Sequence, residues 1–349
     1  MATVTAPSVE APAVEASTVA PPSRTGWGAA MLAAGLVALG RPALWPVALA
    51  AFLLRGGIVA LSVPLLVLPS PTDVANVLMP LAAPAALGRI TPQLVLVAVG
   101  ASALLTLAIL VGGLLGAWLD AELVGEAAGD EELGAERRPA APTRHVALAG
   151  LATRLIAYVP FAVALAWGLN RLIGATYAEL ILPHDLSLPL AARVLWRAPD
   201  AVAAIGVTWI IGEVLAGVAL RHLVLDTRSV AGALRRAIGD LVRHPGSSLA
   251  TTVVTDLALA LVAGAGVLAT AVAVDRLRFG IGVGGSAIEL AFVLVLVAGT
   301  WAAAMLATGA LTAFRSVAWT FELVRRGTIG GDDPAQPGDW APAARSGTL

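Results

Sequence analysis

The sequence predicts an all-α integral membrane protein, a polytopic bundle of six transmembrane helices with additional interfacial amphipathic helices. Hydrophobic residues make up 58% of the 349 residues and charged residues only 13%, about half the charged share of an average soluble domain. The apolar residues are also grouped in six long blocks, which is typical of membrane-spanning helices rather than of soluble amphipathic ones.

Each block is long enough to cross a bilayer, because about 20 residues at ~1.5 Å per residue cover ~30 Å of hydrocarbon. A shorter apolar segment at 26–40 ends at Arg41-Pro42 and is expected at the interface. Regions 1–25 and 327–349 are predicted to be disordered tails that flank a membrane domain at 26–326. The predicted spans are Val47–Val67, Leu94–Trp118, Val146–Asn170, Ala201–Leu220, Leu249–Val274 and Leu290–Phe314.

The distribution of arginine predicts the orientation of the bundle. The chain has no lysine, so its 22 basic residues are all arginine. If the N-terminus is cytoplasmic, the connections on the cytoplasmic side hold fourteen arginines and those on the outer side hold six. Because cytoplasmic connections carry the excess of basic residues, we expect a multi-pass protein of the cell membrane with both termini in the cytoplasm.

Three charged residues deep in the predicted spans form a candidate site: Arg55, Glu213 and Asp256. A charge at the bilayer centre costs about 2.5–3.5 kcal/mol on insertion scales, so each needs a partner or water. All three lie roughly 12–16 Å from the cytoplasmic surface at ~1.5 Å per residue, which allows them to meet in one layer. Two interpretations are open: a polar site on a substrate or proton pathway, or a structural ion cluster that joins three helices.

Two segments have the periodicity of helices that lie at a membrane surface. In the first, Val230, Leu234 and Ile238 recur at helical spacing before the fifth span, and a second segment at 314–326 repeats the pattern after the sixth span. Arginines on such helices face anionic headgroups, and two interpretations are open: both segments recognise lipid or a partner protein, or they simply anchor the connections at the membrane. The arginines of this predicted surface are Arg235, Arg236, Arg243, Arg315, Arg325 and Arg326.

The residue types present argue against several kinds of chemistry. The chain has no cysteine, so it has neither thiolate metal ligands nor a cysteine nucleophile, and without lysine it has no P-loop. The four histidines stand far apart without metal-ligand spacing. A net charge of −1 is no basic excess of the kind that favours nucleic acid. We therefore expect no enzyme activity, no catalytic residue, no cofactor, no metal and no nucleic-acid partner.

A recurring arrangement carries a family resemblance. An apolar helix that ends at arginine, followed at once or after one residue by proline and then a span, occurs at Arg41-Pro42, Arg197-Ala198-Pro199 and Arg243-His244-Pro245. The third copy, SVAGALRRAIGDLVRHPGSSLATTVV at Ser229–Val254, resembles a pattern in uncharacterised bacterial polytopic membrane proteins. Among them is the membrane region attached to some glycerophosphodiester phosphodiesterases, and the resemblance covers Trp196–Arg326. Their catalytic barrel has no counterpart here, so the resemblance implies a membrane module with interfacial helices and not the activity.

Two functions are therefore expected, in order of preference. The first is a non-enzymatic membrane module that organises lipid or a partner protein through its arginine-bearing cytoplasmic surface. Membrane lipids are the expected partners, and the candidate protein partner is a second membrane protein or another copy of the chain. The alternative is a transporter or permease subunit whose intramembrane polar site includes Arg55, Glu213 and Asp256.

Overall fold

The computed structural model describes residues 26–65, 80, 83–84, 88–128, 144–182, 184–185, 187–226 and 229–329. Within these ranges the chain forms helices and turns and no β-strand. Six helical segments are long and apolar enough to cross a membrane, so the protein is an all-α, multi-pass membrane helix bundle, as predicted. Apart from residues 327–329, the predicted disordered tails lie outside the described residues.

The described helices follow one another along the chain with short turns or bends between several of them. Six candidate spans are formed by the segment Leu44–Leu65 and by helices α4, α6, α8, α10 and α11 as defined below. In chain order the helices are α1 (Trp27–Gly40), α2 (Leu44–Phe52), α3 (Ile58–Ser62), α4 (Pro92–Ala128), α5 (Arg144–Ala157), α6 (Val159–Ile181), α7 (Leu190–Arg197), α8 (Pro199–Leu225), α9 (Val230–Arg243), α10 (Pro245–Gly282) and α11 (Ala287–Arg325).

Helix α11 is the centre of the bundle and packs against α1, α2, α4 and α10. Small residues allow the close contacts: a Cβ at Gly309 of α11 would lie 2.7 Å from the carbonyl oxygen of Trp45, in the manner of small-residue packing between membrane helices. The buried residues of α4 are confined to 112–128, and most of those of α11 lie in 304–323. The tightly packed core therefore lies at the end of the bundle where α4, α8 and α11 end.

The first span is interrupted in the middle. Residues Leu53–Gly57 form a π-helical turn between α2 and α3, and Gly56 has a φ of 100°. Glycine adopts this left-handed backbone without the steric cost that a Cβ would add, and π-helical turns inside membrane or soluble helices are frequent at functional sites. The interruption places Arg55 within the turn rather than in a regular helix.

The predicted third span, Val146–Asn170, is two helices in the structure. Helix α5 ends at Ala157, Tyr158 is a turn residue, and α6 begins at Val159. Pro160 lacks an N–H group, and its ring would clash with the carbonyl four residues earlier, so a regular helix does not continue through this point. The candidate span is α6 itself, later in the chain than predicted, and α5 precedes it as a separate helix.

The segment 314–326 is not a separate interfacial helix, which corrects that prediction. Helix α11 runs without a break from Ala287 to Arg325, and Val317, Glu322 and Leu323 are buried in the bundle. The apolar periodicity is real, but periodicity alone does not distinguish a helix face that contacts lipid from one that contacts other helices.

The arrangement of a short helix followed by a span has a common geometry. The chain bends from α7 into α8 at Ala198, with φ −130° and ψ 55°, and from α9 into α10 at His244, with φ −128° and ψ 53°. The bend from α1 into α2 at Arg41 is similar, with φ −121° and ψ 71°. Proline follows in the first turn of α8 and α10, where its missing N–H costs no hydrogen bond.

Candidate functional site: a cluster of charges in the bundle

The structure brings the three predicted residues into one layer. Arg55 Nη1 lies 3.8 Å from Glu213 Oε1. Asp256 is joined to the layer through Arg315 of α11, whose Nε lies 2.7 Å from Asp256 Oδ1, as an ion pair without hydrogen-bond geometry. The same guanidinium donates from Nη1 to Glu213 Oε1 at 3.1 Å. Arg315 therefore links carboxylates of two different helices, α8 and α10.

Three further residues complete the cluster, and the sequence did not single them out. Asp120 of α4 accepts a hydrogen bond from Arg154 Nη2 at 2.6 Å and lies 3.4 Å from Arg55 Nη1. Tyr158, at the turn between α5 and α6, donates its hydroxyl hydrogen to Glu213 Oε2. The cluster thus joins the first span to α4, α5, α8, α10 and α11.

Asp120 and Arg154 are hard to find in the sequence because they lie toward the edges of apolar blocks. Asp120 comes just after the uncharged run that ends at Trp118, so the pattern assigns it to the charged connection that follows. Arg154 lies near a predicted span end, where a long side chain can reach the surface. The available signal is charge balance: Glu213 and Asp256 together exceed Arg55 by one negative charge, which calls for a further arginine at the same depth.

Arg221 of α8 lies against the same cluster and has no acidic partner among the described residues. The residue is only 6% exposed. Its guanidinium donates to Thr320 Oγ1 at 3.2 Å, to the Gly217 carbonyl at 2.7 Å and to the Ser316 carbonyl at 2.8 Å. These acceptors are all neutral. The predicted fourth span ends at Leu220, so the sequence places Arg221 in the connection beyond it.

The cluster surrounds a cavity of about 50 Å³, which is room for roughly three or four water molecules. The hydroxyl-bearing residues Thr312 and Ser316 and several apolar side chains, including Leu123 and Trp319, complete the wall. Apolar walls reduce the local dielectric constant and so strengthen the interactions of the charges they enclose. The charged residues of the wall are Arg55, Arg154, Arg221, Arg315, Asp120 and Glu213.

The arginines at the end of α11 were predicted to face lipid, but in the structure they form ion pairs within the bundle. Arg315 is largely buried in the cluster. Arg325 and Arg326 both pair with Glu322, at 2.7 and 2.8 Å from their Nε atoms, and the Arg326 side chain is 1% exposed. The physical reason is that Glu322 is fully buried, and a buried carboxylate requires cations beside it.

Helix α9 presents the other three arginines of the predicted surface, Arg235, Arg236 and Arg243, as exposed residues. Arg236 also pairs with Asp226, which follows α8. Burial by itself would raise the pKa of Asp226, but hydrogen bonds with His222 and Arg236 outweigh burial and hold the pKa below its usual range. Asp226 is therefore ionised at neutral pH and joins α9 to α8.

A second group of charges lies at the opposite end of α8, between α6 and α7. Glu179 is 2% exposed and accepts hydrogen bonds from Arg197 Nη1 at 2.8 Å and from the His184 backbone at 3.1 Å. Arg193 Nη1 lies 3.6 Å from the same carboxylate. These contacts fix α7 against the end of α6. Across the part of the chain that the structure describes, no group of His, Asp and Glu is arranged to hold a metal ion.

Comparisons of the chain with protein-family models, with curated proteins and with solved structures find no match. The resemblance of Ser229–Val254 to the membrane region of some glycerophosphodiester phosphodiesterases therefore stays a prediction. The geometry of the charged cavity and of α9 is the basis for a functional proposal.

Proposed function

We propose that this chain is a non-enzymatic protein of the cell membrane, a transporter or permease subunit whose ligand pathway passes through the charged cavity. The observation that carries the proposal is the convergence of charged side chains from five elements of the bundle around one cavity, with Asp256 of a sixth element paired to Arg315 of the cavity wall. Charges in membrane-spanning helices are costly, and they mark substrate and ion pathways in many membrane proteins.

The proposal reverses the order of preference that follows from the sequence alone. A module that organises lipid through its arginines needs those arginines at the surface. Arg315 is instead engaged with Glu213 and Asp256, and Arg325 and Arg326 are engaged with Glu322. Half of the predicted lipid surface is thus occupied by ion pairs within the bundle, which favours a role for the cluster itself.

The interruption of the first span supports the same function. Transporters place ligand sites at broken helices, where freed backbone groups and helix ends can line the site. Arg55 lies in such an interruption, where its Nε donates to the Ala51 carbonyl at 3.0 Å and its Nη1 faces the two carboxylates Asp120 and Glu213. The π-helical turn therefore directs a guanidinium into the cavity wall.

The proposed orientation puts the cavity nearer the cytoplasm than the outer surface. The cavity lies toward the end of the bundle at which α4, α8 and α11 end. That end also carries the arginine-rich connections, which the positive-inside rule assigns to the cytoplasm. A ligand would therefore reach the cavity from the cytoplasmic side in this conformation.

The test uses the absence of cysteine and three matched positions on α11. Ser316→Cys lies in the cavity wall, Thr308→Cys is buried away from the cavity, and Leu306→Cys is exposed on the lipid-facing surface. A small membrane-impermeant thiol reagent is applied from each side. Since thiols react as hydrated thiolates, we expect labelling of Ser316→Cys to be about tenfold or more faster than at the two controls. Equal, slow labelling at all three positions in folded protein would mean a sealed structural cluster and would refute the proposal.

A second candidate function rests on the surface of α9. Its alanines Ala233 and Ala237 are fully buried against the bundle, while Ile238 and Val242 are 50% and 73% exposed beside the exposed Arg235. Apolar side chains next to arginine on one exposed face are typical of helices that lie in the interface with anionic lipid. This arrangement supports the organisation of lipid by α9, alongside the function of the cavity.

This second candidate predicts a dependence on anionic lipid. The variant with both Arg235→Gln and Arg243→Gln should lose most of the thermal stabilisation that the parent gains when anionic lipid is added to zwitterionic nanodiscs, because each basic residue near the surface contributes about 1 kcal/mol. Arg276→Gln, an exposed arginine at the far end of α10, serves as the matched control and should keep the stabilisation. An equal loss in both proteins would argue against a role specific to α9.

A further inference from the structure

The charges around the cavity do not balance. Four guanidinium groups and two carboxylates line it, and the third carboxylate of the cluster, Asp256, lies behind Arg315. Arginine remains protonated in proteins, so the excess of one positive charge cannot be relieved by loss of a proton. Within the described part of the chain, the cluster therefore carries a net charge of +1 in a setting where an uncompensated charge is strongly unfavourable.

Arg221 is the source of this excess. Its four hydrogen bonds, to Thr320, to Gly217 and to the carbonyl and hydroxyl oxygens of Ser316, hold the guanidinium in a defined orientation without neutralising it. A guanidinium has five N–H donors, so Arg221 retains one donor, on Nη1, for a further acceptor. Neutral oxygens and water can satisfy N–H groups, but only an anion also removes the net charge.

Arg154 adds a second unmet demand in the same wall. Its Nη2 is held by Asp120 at 2.6 Å, whereas its Nη1 is buried and has no hydrogen-bond partner among the residues that the structure describes. A buried donor without an acceptor is rare in folded proteins and calls for a ligand or a water molecule. Both arginines line one cavity, so a single bound group can serve the two of them.

We propose, on the basis of the transport function above, that the cavity binds a small oxyanion, with Arg221 and Arg154 as its principal ligands. The cavity has room for a single phosphate, sulfate or carboxylate group. Planar guanidinium groups bind such oxyanions through paired hydrogen bonds, and the hydroxyl of Ser316 is a further donor in the wall. The oxyanion is either a free anion or the phosphate of a lipid headgroup, which share this chemistry.

The first experiment measures thermal unfolding of the full-length protein in detergent as sodium phosphate replaces chloride at constant ionic strength. At a phosphate concentration of a hundred times Kd, the unfolding equilibrium constant should fall about a hundredfold. Arg221→Gln balances the cluster, so this variant should be at least as stable as the parent without phosphate and should lose the response to phosphate. A residue with a merely structural role would give a less stable variant. The exposed Arg276→Gln should respond like the parent.

A second arm identifies the source of the oxyanion. The same proteins are compared in zwitterionic nanodiscs and in nanodiscs that contain phosphatidic acid. Stabilisation by phosphatidic acid but not by phosphate, lost in Arg221→Gln, assigns the site to a lipid headgroup, and the reverse assigns it to a free anion. If neither probe stabilises the protein, or if Arg221→Gln keeps the full response, the oxyanion proposal is wrong.

A third measurement decides the matter if Arg221→Gln fails to fold. In Ser316→Cys, with Arg221 intact, saturating phosphate or phosphatidic acid should slow thiol labelling about tenfold, because the bound group occupies the cavity beside the thiol. If neither probe protects the thiol, the oxyanion proposal is overturned.

The transport proposal and the oxyanion proposal can also fail separately. Rapid labelling without protection leaves a transport pathway that takes no oxyanion, and stabilisation by phosphate in a protein whose Ser316→Cys is inert leaves a sealed structural anion and no pathway.

Discussion

Arg315 is the residue on which the connectivity of the cluster depends, since its guanidinium contacts carboxylates from two helices. Nη1 hydrogen-bonds to Glu213, and Nε pairs with Asp256. A planar, permanently charged fork suits this geometry, whereas the point charge of lysine would not reproduce two separate directions of contact. Glu213 is the complementary residue, because it also accepts from Tyr158 and lies near Arg55.

Glu213→Gln should be strongly destabilising. The substitution removes the carboxylate that faces Arg55 and Arg315 and raises the positive excess of the cluster, so we expect a loss of about 3–5 kcal/mol in the free energy of unfolding. The double variant with Arg315→Gln should lose less than the sum of the single changes, with a coupling energy of about 0.5–3 kcal/mol. Unfolding in detergent measures all three variants.

The control for this cycle is Asp275→Asn, because Asp275 is an exposed carboxylate of α10 that pairs with Arg278 one turn away. Exposed pairs of this kind contribute little, so the change should stay within about 0.5 kcal/mol. Strictly additive effects of Glu213→Gln and Arg315→Gln would show that the two side chains do not interact in the folded protein.

Among the helical elements, the π-helical turn at Leu53–Gly57 is the feature of the first span that positions Arg55 in the site. Gly56, at φ 100°, lets the chain resume a helix at Ile58 after Arg55 has left the regular helical path. A regular helix would place Arg55 at a different angle around its axis. The stability of the turn and the position of the guanidinium are therefore coupled.

Gly56→Ala should destabilise the protein by about 1–2 kcal/mol, the cost of a left-handed conformation for a residue with a Cβ. Since a Cβ at Gly56 would meet no atom of the described residues within 4 Å, the effect comes from the backbone and not from crowding. Gly100→Ala in α4, also in open space, is the control and should be neutral or slightly stabilising. Similar melting temperatures for the two variants would contradict a strained Gly56.

The close packing of α11 on α2 predicts that one glycine of α11 cannot be replaced without cost. A Cβ at Gly309 would lie 2.7 Å from the Trp45 carbonyl oxygen, whereas one at Gly299 on the same helix would meet nothing within 4 Å. Gly309→Ala should therefore cost about 1–3 kcal/mol, the usual range for overpacking, and Gly299→Ala should be tolerated. Thermal unfolding in detergent compares them, and an equally mild effect at Gly309 would mean that α2 can move away freely.

For the whole molecule, the distribution of arginine predicts the orientation in the membrane. The orientation matters because it decides from which side a ligand reaches the cavity. A fluorescent protein fused after Leu349 should fold and fluoresce, because it folds only in the cytoplasm. An alkaline phosphatase inserted at the turn that contains Gly284, between α10 and α11, should be active, because it requires export. The reverse pattern would place the cavity near the outer surface and would invert the proposed direction of ligand entry.

The first half of α4 bears on assembly. None of the most apolar stretch of this helix is buried by the residues that the structure describes, and residues such as Leu96, Leu104 and Leu105 are exposed to more than half. In a membrane this surface contacts lipid or another protein. The partner expected from the sequence, a second membrane protein or another copy of the chain, stays a prediction. The exposed surface of α4 is available to bind it.

The sequence by itself determined the fold class and the number of spans. In hydrocarbon every backbone N–H and C=O group must be paired within its own segment, so an apolar block of about 20 residues can only be a helix. The depth of Arg55, Glu213 and Asp256 could also be counted along the chain at ~1.5 Å per residue. The break at Tyr158 within the third predicted span was not predicted, although Pro160, two residues later, marks a position where a regular helix is disfavoured.

Only the tertiary structure decided which charges meet. Depth along a helix says nothing of the direction in which a side chain points, because that direction depends on how each helix is rotated and which neighbour it packs against. Arg315 follows an uncharged run and has the sequence context of an interfacial arginine, yet α11 continues unbroken and turns Arg315 toward Glu213 and Asp256. The position of Arg221, which has no acidic partner within the described ranges, depends on the same rotations. The positive charge of the cavity, on which the functional proposals rest, therefore depends on them too.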